Sequence, residues 1–132
     1  MIIDSSALVA ILLNEPEAEQ HTGAIAGATH RRMSAATYLE AALVAESRGG
    51  AGGARSLDRL LESARIELVP VSVEQAQAAR EAWRRFGRGN HPATLNYGDC
   101  FAYALAKTTG EPLLYQGNDF ALTDIESALP PG

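Results

Sequence analysis

Four acidic residues, from four separate parts of this chain, could do chemistry if they met. Asp4 ends the apolar run Met1-Ile2-Ile3 and is followed by two hydroxyls, Ser5 and Ser6. Glu40 lies in an Ala/Leu-rich segment, and Asp99 stands at the mouth of the apolar stretch Cys100-Phe101-Ala102-Tyr103-Ala104-Leu105-Ala106. Asp119 follows Leu113-Leu114-Tyr115 in the sequence Gly117-Asn118-Asp119-Phe120. Singly, three of them have a plain explanation: Asp99 balances a helix dipole, Asp119 makes a turn, and Glu40 is a solvated helix acid. Gathered at one place they would repel, and must then share protons or bind a cation. One cysteine and three scattered histidines (His21, His30, His91) exclude a Cys/His zinc cluster. An all-oxygen set suits Mg2+, with Mn2+ as the alternative.

The elements that must bring these acids together can be read from the pattern. Met1 to Asp4 predicts a buried strand that presents Asp4 at its C-terminal end. Ala7 to Leu13 reads as a helix capped by Ser5 or Ser6, and Pro16 restarts a second helix that runs to about Gly27. Arg31 to Ser34 predicts a short strand, and Ser34 caps a helix over 35–48 that carries Glu40 in its second turn. The tract Gly49-Gly50-Ala51-Gly52-Gly53 reads as a flexible loop before a further helix from about Ala54. Ile66 to Val71 predicts a strand, with Pro70 near its end fitting either an edge strand or a strand terminus. Ser72 or its neighbour caps a helix over 73–86, and Gly87 to Pro92 forms a loop. A helix over 98–109 ends at Gly110, and Leu113 to Tyr115 is the last buried strand. Strands alternating with helices define an α/β domain with a mainly parallel sheet. Ligands of such sheets bind beyond the C-terminal strand ends, where Asp4 and Asp119 would lie.

The chain has 132 residues, enough for one domain over 1–132 and too few for two cores. Its net charge of −5 excludes a generally basic nucleic-acid binder, so such binding would require a local basic patch or a metal. A lone Cys100 permits no internal disulfide, and its apolar surroundings make it a small buried filler. No basic leader and no membrane-length apolar run stand in the sequence, which predicts a cytoplasmic protein with no membrane partner.

The segments Met1-Ile2-Ile3-Asp4-Ser5-Ser6-Ala7-Leu8, Tyr38-Leu39-Glu40, Asn96-Tyr97-Gly98-Asp99-Cys100-Phe101-Ala102-Tyr103 and Leu113-Leu114-Tyr115-Gln116-Gly117-Asn118-Asp119-Phe120 resemble the PIN domain. The resemblance is strongest to the VapC toxins of toxin–antitoxin pairs, and it covers nearly the whole chain. It implies a three-layer fold with a mainly parallel sheet of about four to five strands flanked by helices. It also implies a metal-dependent endoribonuclease with Asp4, Glu40, Asp99 and Asp119 as its acids. Asp4 and Asp99 would be the main metal anchors, and Asp119 and Glu40 would complete the shell or orient water. Ser6, Asn96 and Asn118 are supporting candidates, although either Asn could equally be a cap or a turn. Family likeness further implies a VapB-like antitoxin, an RNA substrate, a homodimer and a toxin–antitoxin hetero-oligomer. Leu8, Ile11, Leu12 and the Leu39/Leu43 face are apolar in excess of a small core and would supply the partner groove.

An acidic site needs help to hold an acidic substrate. Arg80, Arg84 and Arg88 are spaced by four, so they would share a helix face as RNA contacts, or else form a solvated stripe. Trp83 and Phe86 read as core. Two other functions fit the acids: a non-catalytic pocket that captures an Arg-rich partner, and a metal-dependent phosphatase with Asp4 as nucleophile. The phosphatase pattern wants a second Asp two residues after the first, where this chain has Ser6.

Overall fold

Paired apolar residues in two of the strands explain the layering. In the computed structural model, which describes residues 1–130, four short parallel strands form one sheet: β1 (Ile2–Ile3), β2 (Arg32–Ser34), β3 (Glu67–Val69) and β4 (Leu113–Leu114). Successive strand residues face opposite sides. Ile2 and Leu113 accordingly enter one core with Phe86, Tyr103, Leu105 and Phe120, while Ile3 and Leu114 enter another with Leu8, Ile25, Met33 and Leu57. The helices α1 (Ser5–Leu12), α2 (Ala18–Gly27) and α3 (Ala35–Ser63) supply the second core, and α4 (Val73–Phe86) and α5 (Tyr97–Thr109) the first. The result is the expected three-layer α/β arrangement, with four strands. The expected single domain over 1–132 takes in residues 131 and 132, which lie outside the described part.

The strand order is β3-β2-β1-β4. The chain therefore steps outward from β1 to β3, then returns to lay β4 on the other side of β1. A crevice opens at such a reversal, beyond the strand ends. Asp4 occupies that position, and its backbone N–H donates to the Leu114 carbonyl at 2.9 Å.

Three local expectations are corrected. The cap of α1 is Asp4 itself, accepting from the Ser6 N–H at 3.1 Å, and Ser5 and Ser6 are the first helical residues. The Gly49–Gly53 tract is no loop, because helix runs through both sides of it and only Gly50 leaves helical geometry, at φ 60°. Gly53 lies so close to the first limb that a Cβ there would run into the Ala45 carbonyl. The glycines thus permit a tight helical hairpin. Trp83 is 48% exposed, whereas Phe86 is core as expected.

Candidate active site

Asp4 and Asp99 reach one crevice from different directions. Asp4 is held by its own helix. Its Oδ2 accepts from both the Ser6 N–H and the Ser6 hydroxyl, the latter at 2.6 Å. The hydroxyl oxygen in turn accepts from the Gln116 N–H at 2.9 Å, which ties the exit of β4 to the start of α1. Asp4 Oδ1 is buried and has no hydrogen-bond partner. A carboxylate oxygen so placed is either protonated or awaiting a cation.

Asp99 occupies the third position of α5. Asn96 caps that helix, with its side-chain oxygen accepting from the Asp99 N–H at 2.9 Å and its own N–H donating to Asp99 Oδ2 at 3.0 Å. The reciprocal box fixes the Asp99 side chain against a rigid helix end. Asn96 is therefore a capping residue, and it orients Asp99 through that cap.

Burial pushes Asp4 up from 3.8 to about 6 against the Ser6 hydrogen bonds, and the charge of Glu40 adds to the rise. Burial likewise pushes Asp99 from 3.8 to about 7 against the Asn96 N–H, with the charges of Asp4 and Asp119 adding to it. Glu40, half-buried on α3, accepts from the Ser5 hydroxyl at 2.8 Å. The same carboxyl group fills the space above Gly98, where a Cβ would lie 2.8 Å from Glu40 Cδ. Asp119 is exposed on the loop after β4. The acids thus feel one another in pairs: Asp4 with Glu40, and Asp99 with Asp4 and Asp119.

Among the described residues, no group of three or more His, Cys, Asp or Glu side chains is drawn tightly enough to hold a metal as placed. The donor chemistry nevertheless fits a hard divalent cation. The groups are all oxygen, one buried oxygen is unpartnered, and two carboxyls carry raised pKa values that a cation would reverse.

The other candidates separate clearly. Asn118 is exposed in the Asp119 loop, where its carbonyl accepts from the Ala121 N–H at 3.2 Å. Arg80, Arg84 and Arg88 are all exposed, but α4 ends at Phe86, so only Arg80 and Arg84 share the expected helix face and Arg88 lies in the loop beyond it; Arg84 pairs with Glu81 at 3.2 Å. Cys100 is 5% exposed, and burial, with Asp99 nearby, pushes its thiol to about 11, so it is the inert filler expected. Leu8 is fully buried, whereas Leu39, Leu43 and Tyr97 are 55, 62 and 82% exposed. The surplus apolar surface therefore lies beside the acids on α3 and α5, in a cleft of about 450 Å3 that includes Glu40 and Gly98. The contacts of Gly98 with Glu40 and of Gln116 with Ser6 were not legible in the sequence, because each joins residues far apart in the chain.

The PIN-domain family model matches residues 1–126, and the chain belongs to that family. Within it, the chain stands among the VapC ribonucleases. It is 58% identical to a Ribonuclease VapC of Mycolicibacterium smegmatis over 125 residues, covering 95% of this chain and 97% of the relative. It is 54% identical to Ribonuclease VapC30 of Mycobacterium tuberculosis over 131 residues, covering 98% of this chain and all of the relative. The fold also matches the crystal structure of M. tuberculosis VapC20, described as a sarcin-ricin-loop-cleaving toxin, with a TM-score of 0.79 at 15% identity and 98% coverage of each chain. A toxin–antitoxin complex from Klebsiella pneumoniae matches with a TM-score of 0.69 at 18% identity, covering 93% of this chain and 92% of that one. Among the described residues, no helix is long and apolar enough to cross a membrane.

Proposed function

We propose that this chain is a Mg2+-dependent endoribonuclease acting as the toxin of a toxin–antitoxin pair. The observation that carries the reading is the buried, unpartnered Oδ1 of Asp4 at the β1–β4 crevice, facing a second buried acid, Asp99. A divalent cation held there, Mg2+ or Mn2+, would supply Lewis acidity toward the phosphodiester and lower the pKa of water so that hydroxide is available as the nucleophile. Asp4 and Asp99 anchor the cation from rigid helix starts. Asp119 and Glu40 would complete the shell or orient the water. Ser6 fixes the rotation of Asp4, and Ser5 that of Glu40. Exposed Arg80, Arg84 and Arg88 hold RNA phosphates, offsetting the acidic net charge.

The antitoxin, a VapB-like chain, lays an apolar segment over Leu39, Leu43 and Tyr97 and directs an Arg into the acids. This protein also pairs with a second copy of itself to give a toxin–antitoxin hetero-oligomer. Asp4→Asn and Asp99→Asn should each lower Mg2+-dependent RNA cleavage by at least a hundredfold, while exposed Glu74→Gln leaves it unchanged. Cleavage that survives both acid substitutions removes these carboxylates from the reaction. Failure of all four proteins to cleave RNA, with wild type still capturing an Arg-rich peptide, would favour the non-catalytic pocket.

A further inference from the structure

A histidine buried at a distance from the acids is wired to them. His21 is fully buried on α2, on the same buried face as Ala18 and Ile25. Its Nε2 lies 2.8 Å from Gln116 Oε1, and its Nδ1 is buried without any partner. Leaving one imidazole nitrogen unpaired in a core is unfavourable, and an aliphatic residue of similar volume would avoid it. Packing alone therefore gives no reason for the histidine. The Nε2 contact does, because Gln116 is the residue whose backbone N–H donates to the Ser6 hydroxyl, which donates to Asp4 Oδ2.

We propose that His21 and Gln116 are positioning residues for the acidic site, and that they set its affinity for the divalent cation. This rests on the metal-dependent reading above. The chain of contacts has a fixed sense. Gln116 Oε1 can only accept, so His21 Nε2 is the donor in that contact. With the Gln116 side chain anchored, its N–H occupies a lone pair of the Ser6 oxygen, so the Ser6 proton must point at Asp4 Oδ2. Asp4 is thereby held with Oδ2 saturated and Oδ1 bare. Gln116 also immediately precedes Gly117, whose φ of 95° turns the chain toward Asp119. One buried side chain on α2 thus steadies both Asp4 and the loop that brings Asp119. Groups that orient metal-binding carboxylates at one remove commonly change metal affinity by about 10–100-fold when lost.

The test measures Mn2+ binding to the full chain by the electron paramagnetic resonance signal of the free ion, at fixed pH, with thermal stability recorded alongside. His21→Leu and Gln116→Leu should each weaken Mn2+ binding about tenfold, while His21→Leu leaves the melting temperature equal or higher. The double variant should bind no more weakly than either single one, because both break the same chain. His21→Gln, which places an N–H donor near the original Nε2, should restore binding to within about threefold of wild type. Wild-type binding matched by Gln116→Leu overturns the proposal. So does a double variant whose loss is the product of the two single losses. A wild-type chain that binds no Mn2+ overturns the metal reading itself, and this proposal with it.

Discussion

Replacing Asp4 with Asn should make the protein more stable and less active at the same time. Asp4 is 3% exposed, and its carboxyl ionises near pH 6 in the folded chain against 3.8 ordinarily. The folded state therefore holds its proton more tightly than the unfolded state does. Between about pH 4 and 6 the folded protein carries the extra proton, so stability falls as pH rises through that window. Above pH 6 the full difference is lost. From 3.8 to about 6, it amounts to roughly 3 kcal/mol. Asn carries no charge to desolvate, and its amide can still accept from Ser6. In urea titrations with chelator present, Asp4→Asn should exceed wild type by up to ~3 kcal/mol at pH 8, and by about 1 kcal/mol or less near pH 4. Added Mg2+ should stabilise wild type at pH 8 and leave Asp4→Asn unmoved. A variant no more stable than wild type at pH 8 would mean that burial does not strain Asp4, and the argument for a waiting cation would lose its main support.

Three further outcomes follow from the geometry. Gly98→Ala should push the Glu40 carboxyl off Ser5 and reduce RNA cleavage tenfold or more; because Ala favours the helix, stability should hold or rise by up to ~1 kcal/mol, read by thermal melts beside a cleavage assay. Reversing Arg84 and Arg88 to Glu should weaken binding of RNAs of unrelated sequence alike and flatten the salt dependence; an unchanged salt slope would return the stripe to solvent. Asp124 gathers Tyr103 at 2.6 Å, Lys107 at 2.8 Å and Arg85 at 3.5 Å. Burial would raise its pKa, but the hydrogen bonds from Lys107 and Tyr103 outweigh burial and hold it below 3.8. Tyr103→Phe should therefore lower stability by about 1–3 kcal/mol with RNA cleavage unchanged, measured in urea and by a cleavage assay.

What could be read in the sequence was what local pattern controls. The pairs Ile2-Ile3 and Leu113-Leu114 announce strands buried on both faces, and Ser34, Ser72 and Gly110 punctuate helices where expected. Asp4 and Asp99 could be singled out because an acid at an apolar boundary conflicts with its neighbours. The errors arose where tertiary contact overrides local preference. A glycine-rich tract means flexibility only when nothing packs on it, and here Ala45 packs on Gly53. Trp83 looked like core by residue type, yet it stands at the edge of an open cleft with Tyr97 and Phe101. The bonds from Ser5 to Glu40 and from His21 to Gln116 join residues far apart in the chain, and no spacing rule connects them.

The hairpin break at Gly50 divides the acids evenly. Asp4 and Glu40 precede it, and Asp99 and Asp119 follow it. The neighbouring residues 46–52 are largely exposed and far in sequence from every strand. A chain cut there would yield two pieces, neither holding a complete set of carboxylates. Only their reassembly along the β1–β4 and β2–β3 pairings would restore the crevice. This fold thus offers a natural seam for a split nuclease, whose two halves could be expressed separately without harm and switched on by whatever brings them together.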